Sequence, residues 1–150
     1  MPTLNPINKS FNLQGLCESN FRKIFQLAPH LLNIKCDATA QANGRPELLV
    51  RIVDRQRHTV TLELTHHFSL KQENNKEPGL IIRVYLDARS AEVMCRTPRG
   101  YSDYQVDHRP SPETVLDYKW TVNYFLEKWL NHCLEQGYLF GRRKNVEMAI

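Results

Sequence analysis

From Leu80 to Cys95 apolar and polar residues alternate so regularly that two strands and a turn can be read directly. With Ala88 and Arg89 at the turn, Leu86 faces Ala91, Val84 faces Val93 and Ile82 faces Cys95, an apolar set on one side of a sheet. The other side then carries Ile81, Arg83, Tyr85, Glu92, Met94 and Arg96. A second hairpin precedes it. Leu48, Val50 and Ile52 oppose Leu49, Arg51 and Val53 across one strand, and after a polar turn over residues 54–57 the next strand turns Val60, Leu62 and Leu64 inward and Thr61 and Glu63 outward. A turn centred on Gln56 matches Ile52 with Val60 and Val50 with Leu62. Upstream, Ile34, Cys36, Ala38 and Ala40 alternate, and Asn43-Gly44 is a hairpin signal. A two-residue turn there would set Lys35, Asp37 and Thr39 against the core side of the next strand, so this segment reads as a looser connection or a short edge strand.

The flanks follow a helical period. Ser10 or Asn12 caps a helix running to about Ala28, with Leu13, Leu16, Cys17, Phe21, Ile24 and Ala28 on one stripe, and Pro29 ends it. Ser111 as N-cap, Pro112 at the first helical position and Glu113 in the first turn open a second helix that runs to about Gln136, with Gly137 as its left-handed terminator. Its stripe is Val115, Val122, Phe125, Leu126, Trp129, Leu130 and Cys133. Trp120 and Tyr124 lie off that line. The expected architecture is α+β in a single domain: an N-terminal helix, an antiparallel meander sheet of four or five strands and a long C-terminal helix, with both helices on one sheet face. Residues 1–9 read as a flexible arm, 10–140 as the domain and 141–150 as a basic tail. The 96–112 loop, with Tyr101, Tyr104 and His108, is too long to be structureless in a compact domain. It is either functional or hides a short strand, and tyrosines covering a sheet edge would explain it equally well.

Composition narrows the class. A chain of 150 residues that is 41% apolar and 24% charged is one globular domain. No apolar run approaches the roughly 18 residues a membrane span needs, and the first residues lack the apolar core of a secretory signal, so a cytoplasmic setting is expected. Cysteines at 17, 36, 95 and 133 have no C-x-x-C spacing and read as reduced thiols. Cys17, Cys95 and Cys133 fall on apolar faces, while a reactive thiol at Cys36 stays open as the lesser alternative. The net charge is +4, and Arg142, Arg143 and Lys144 supply three of the positive charges. The near-neutral body argues against nucleic acid as a partner.

The sequence carries no reaction motif. The glycines are isolated, so no phosphate-cradling loop exists, and there is no G-x-S-x-G elbow. His66 and His67 point to opposite faces of a strand, and His132 and Cys133 diverge on a helix, so neither pair shares a metal. No catalytic residue, metal or cofactor is assigned. What remains is the outer sheet face. Arg51, Glu63, Arg83, Tyr85, Glu92 and Arg96, joined by Tyr101 and Tyr104 from the loop, are the candidate ligand- or partner-binding residues. Tyr85 sits opposite Glu92 in the expected register, and Arg51 and Arg83 reach Glu63 if their strands are neighbours. Cross-strand pairs of this kind give ordinary sheet support of roughly 0.2 to 1 kcal/mol each, which accounts for any one of them. Together with Leu49, Val53, Ile81 and Met94, however, they make a face too apolar to be merely solvated.

Leu16-Cys17-Glu18 with Asn20-Phe21, Arg83-x-Tyr85 with Asp87-Ala88 and Ala91-Glu92-Val93, Tyr101 to Tyr104, and Phe125-Leu126 with Trp129-Leu130, Cys133-Leu134 and Gly137 occur in one order and spacing. In this the chain resembles the YqiB-like proteins of proteobacteria, a family carried as a domain of unknown function. The resemblance spans nearly the whole chain, except residues 69–79 and both termini. It implies a small cytoplasmic bacterial protein and brings no activity, cofactor or catalytic residue with it. The expected function is a non-catalytic interaction or regulatory domain that uses the outer face and the 96–112 loop to hold a protein partner or its own twin as a homodimer. The alternative is a small anionic ligand such as a nucleotide, with Arg51 and Arg83 on its phosphate or carboxylate and Tyr85 or Tyr101 stacked on a ring. An enzyme with Glu92 and Glu63 as acid and base and Tyr85 as helper comes third, and nucleic-acid binding through the tail fourth.

Overall fold

The computed structural model describes residues 6–67, 79–96 and 111–141. Its elements are α1 (Pro6–Leu27), a short 3-10 turn (Leu31–Asn33), β1 (Asp37–Ala40), β2 (Glu47–Arg55), β3 (Thr59–His67), β4 (Leu80–Tyr85), β5 (Ser90–Arg96) and α2 (Pro112–Gln136). The strands form one antiparallel meander in the order β1-β2-β3-β4-β5. The fold is therefore the expected α+β domain with a five-stranded sheet. The segment around residues 34–41 resolves into the short edge strand β1, whose Ala38 and Ala40 pair with Val50 and Leu48. α1 begins at Pro6, ahead of the Ser10 expected to cap it.

Strand alternation selects the buried face. Leu48 and Val50, then Val60, Leu62 and Leu64, then Leu80, Ile82 and Val84, then Ala91 and Val93 are all buried and join one core with Phe21, Ile24 and Leu27 of α1 and Val122, Leu126 and Leu130 of α2. Both helices thus bury their stripes on the same side of the sheet. Each fully buried Leu, Ile or Val contributes about 1.5 to 3 kcal/mol, an upper figure because unfolded chains already shelter part of that surface. Phe125 departs from its expected place on the stripe and is 53% exposed.

The helices meet in step along their lengths: Asn20 Nδ2 donates to the Asn123 carbonyl at 3.1 Å, and Lys23 Nζ pairs with Glu127 at 3.2 Å. Ser111 Oγ accepts from the Thr114 amide at 3.0 Å, satisfying one orphan donor at the α2 N-terminus. At the other end Gly137 has φ 91°, and the Tyr138 amide donates back to the Cys133 carbonyl at 3.2 Å. This reversal buries Tyr138 and Phe140, and the Phe140 amide donates to the Leu27 carbonyl at 2.8 Å.

Both hairpin registers differ from the expected ones by two residues. β4 and β5 are joined by a four-residue turn, Leu86 to Arg89, with Arg89 at φ 55°, so Tyr85 faces Ser90, Val84 faces Ala91, Arg83 faces Glu92 and Ile82 faces Val93. Likewise Ile52 faces Leu62 and Val50 faces Leu64. Each hairpin also contains a bulge, between Ile52 and Asp54 in β2 and opposite Ile81 and Ile82 in β5. An extra residue reverses which side the following residues point to. Beyond the Met94 bulge Cys95 pairs with Ile81 and Arg96 with Leu80, so Cys95 lies on the outer side and Arg96 on the helix side of the sheet. Beyond Val53, Arg55 pairs with Val60 on the helix side, where its guanidinium donates to the Leu32 and Ile34 carbonyls.

Candidate functional site

β3 and β4 form the middle of the outer face and β2 and β5 its sides. Arg51 and Glu63 are directly opposite, and Arg51 Nε donates to Glu63 Oε1 at 3.1 Å. The carboxylate is well shielded, at 16% side-chain exposure against 54% for its arginine. Glu92 is engaged from α2: Lys119 Nζ lies 3.1 Å from Glu92 Oε2. Arg83 sits between these pairs. It is opposite Thr61 in β3 and Glu92 in β5, and its Nε donates to Thr61 Oγ1 at 3.4 Å. Thr61 is 6% exposed although it points away from the helices. The two terminal nitrogens of Arg83 have no partner among the described residues.

The structure therefore brings together Arg51, Glu63, Arg83, Tyr85 and Glu92, with half-buried Leu49, Ile81 and Met94 between them. Tyr85 faces Thr59 and Ser90 rather than Glu92, and Arg83 faces Thr61 rather than Glu63. The bulge turns Arg96 to the other side, and Tyr101 and Tyr104 lie outside the described residues. Lys119 was the residue the stripe passed over. It stands four residues after Val115 and three before Val122, on the apolar line itself, and a lysine there calls for a carboxylate partner. Because Glu63 and Glu92 each hold a cation, either would have to give up an ion pair to act as a proton-transfer group.

Away from this face, an aromatic series runs along α2. Phe125 and Trp129 have ring centroids 5.9 Å apart, Trp129 and His66 5.4 Å, and His66 and Tyr138 5.8 Å. Burial and the neighbouring His132 hold the His66 imidazole below its ordinary pKa. Burial pushes the thiols of Cys17 and Cys133 up to about 12, so both stay protonated, while Cys36 is exposed. Among the described residues no group of His, Cys, Asp and Glu is arranged to hold a metal ion, and no helix is long and apolar enough to cross a membrane.

Fold and face together define a single-domain α+β protein with two helices on one side of a meander sheet and a charged, partly apolar surface on the other. The chain belongs to DUF1249, a family of proteins of unknown function, whose model matches residues 23–139. It is similar to the uncharacterized protein YqiB of Escherichia coli strain K12, with 28% identity over 131 residues covering 83% of this chain and 88% of the relative. The YqiB proteins of the O6:H1 and O157:H7 strains match to the same extent. No solved structure matches the chain.

Proposed function

We propose that this protein is a non-catalytic interaction or regulatory domain of the cytoplasm whose outer sheet face holds a protein partner. The observation that supports this reading is the make-up of that face: Leu49, Ile81, Tyr85 and Met94 lie half-buried around the Arg51–Glu63 and Lys119–Glu92 pairs, on the side of the sheet away from the core. Mixed apolar and charged surface of this kind is the usual composition of a non-obligate interface. The test is a double variant, Ile81→Lys with Tyr85→Ser, compared with wild type in native pull-downs and light scattering after circular dichroism has verified its fold. Loss of one defined partner, or of a homodimer, is the expected result. If every partner and the oligomeric state are unchanged, the reading is abandoned.

A second reading is favoured by the end of Arg83 that is unpaired among the described residues, which suits a small anionic ligand such as a nucleotide, with Tyr85 beside it for ring stacking. Arg51 enters that reading less readily because Glu63 already holds it. Ligand at a hundred times its dissociation constant stabilises a native state by about 2.7 kcal/mol, which a thermal-shift screen of nucleotides, sugar phosphates and simple anions would detect. A flat screen, or a shift that survives Arg83→Ala, removes it.

A further inference from the structure

The geometry points to an acidic segment of a different protein as the occupant of the outer face, with one of its carboxylates received by Arg83 between Thr61 and Tyr85. This rests on the reading of that face as a partner surface and adds the chemistry of the partner. Of the groups gathered on the face, Arg51 and Glu63 neutralise each other, and Glu92 is neutralised by Lys119 reaching over from α2. Arg83 is left as a half-buried cation whose Nε is engaged by a neutral hydroxyl and whose terminal nitrogens have no partner among the described residues. A guanidinium whose two terminal nitrogens are unpaired among the described residues can match a carboxylate in two parallel hydrogen bonds, and partial burial strengthens such a bond relative to water.

Around the cation lie Ile81 and Tyr85 on the same strand and Met94 on the next, so an occupant must cover apolar surface as well as supply the charge. A free inorganic anion satisfies only the second demand. A second copy meeting this one face to face brings its own Glu63 and Glu92 already engaged, and its exposed Asp37 stands on the edge strand β1, at the far side of the sheet from Ile81, Tyr85 and Met94. An acidic side chain set among apolar residues on another protein meets both demands.

The experiment is a selection of short random peptides displayed on phage against the immobilised full-length protein, followed by affinity measurements on synthesised winners. Enriched sequences should carry an Asp or Glu beside apolar residues. Changing that residue to its amide, or changing Arg83→Gln in the protein, should weaken binding roughly tenfold or more, and Arg22→Gln on exposed α1 should leave it unchanged. Winners that are lost with the Ile81→Lys, Tyr85→Ser variant but are indifferent to Arg83→Gln would overturn the acidic assignment and leave the partner surface standing. No enrichment at all would remove both. An Arg83-dependent thermal shift with inorganic phosphate and no acidic peptides would put a small anion at the site instead, and an Arg83-dependent dimer in light scattering would put a second copy there.

Discussion

Asn20 and Asn123 are both fully buried, yet they stand differently toward their surroundings. Asn123 is satisfied on both sides of its amide: Oδ1 accepts from the Val93 amide at 2.9 Å, and Nδ2 donates to the Lys119 carbonyl at 2.8 Å. It closes a donor beside the β5 bulge that no strand supplies a partner for. Asn20 donates to the Asn123 carbonyl, but its Oδ1 is buried with no partner. Deleting a satisfied group strands its partner, whereas deleting a half-satisfied one relieves a cost already present. Asn123→Leu is therefore expected to cost about 1 to 3 kcal/mol in urea unfolding, and Asn20→Leu distinctly less. Equal losses would contradict this account of the pair. His66 supplies a pH dependence at the same scale. Its folded pKa lies below the ordinary value of 6.5, so above that pH both folded and unfolded chains carry it neutral and stability is whole. As pH falls through that value the unfolded chain takes up the proton first, and stability is lost until the lowered folded pKa is passed. His66→Phe should flatten the difference between unfolding midpoints measured above pH 6.5 and below it. A wild-type difference that persists unchanged in the variant assigns it to other groups.

At the scale of elements, alternation located β2 to β5 and left β1 open between an edge strand and a looser connection, while capping residues located α2 and placed the start of α1 too late, because those signals are local. α2 was legible to the residue: Ser111, Pro112 and Gly137 occupy the predicted cap, first-turn and terminator positions. Gly137→Ala should cost about 1 kcal/mol, since an alanine resists a left-handed backbone, and an unchanged thermal midpoint would refute that. The registers were not legible, for a reason built into the pattern. A period of two is blind to a slip of two, so Val84 matches Val93 as well as it matches Ala91, and only the length of the turn decides. The bulges were hidden for a related reason, since one extra residue in a short alternating run leaves each half looking regular. Their effect on the site is direct: one bulge removes Arg96 from the outer face and the other gives Arg55 its hold on the Leu32 and Ile34 carbonyls. Arg55→Ala should accordingly speed amide exchange in residues 31–36 while lowering global stability by under about 1 kcal/mol. Exchange that stays slow there would show that the carbonyls do not depend on Arg55.

For the molecule as a whole, the two faces of the sheet divide the work. The helix side holds the core, closed at its end by Tyr138 and Phe140, and Phe140→Ala is expected to cost about 3 to 5 kcal/mol because the whole ring is enclosed. The outer side was half legible. Alternation placed Arg51, Glu63, Arg83, Tyr85 and Glu92 together, but which carboxylate holds which cation depended on register and on Lys119 from a helix far along the chain. It is this long-range pairing that leaves Arg83 without a counter-charge among the described residues. The most direct measurement is an amide chemical-shift titration of the isotopically labelled protein with the tightest peptide from the selection. The account predicts perturbed amides concentrated at Thr61, Glu63, Ile81, Arg83, Tyr85 and Glu92. Perturbations centred instead on the exposed side of α2 around Phe125 and His132 would contradict it.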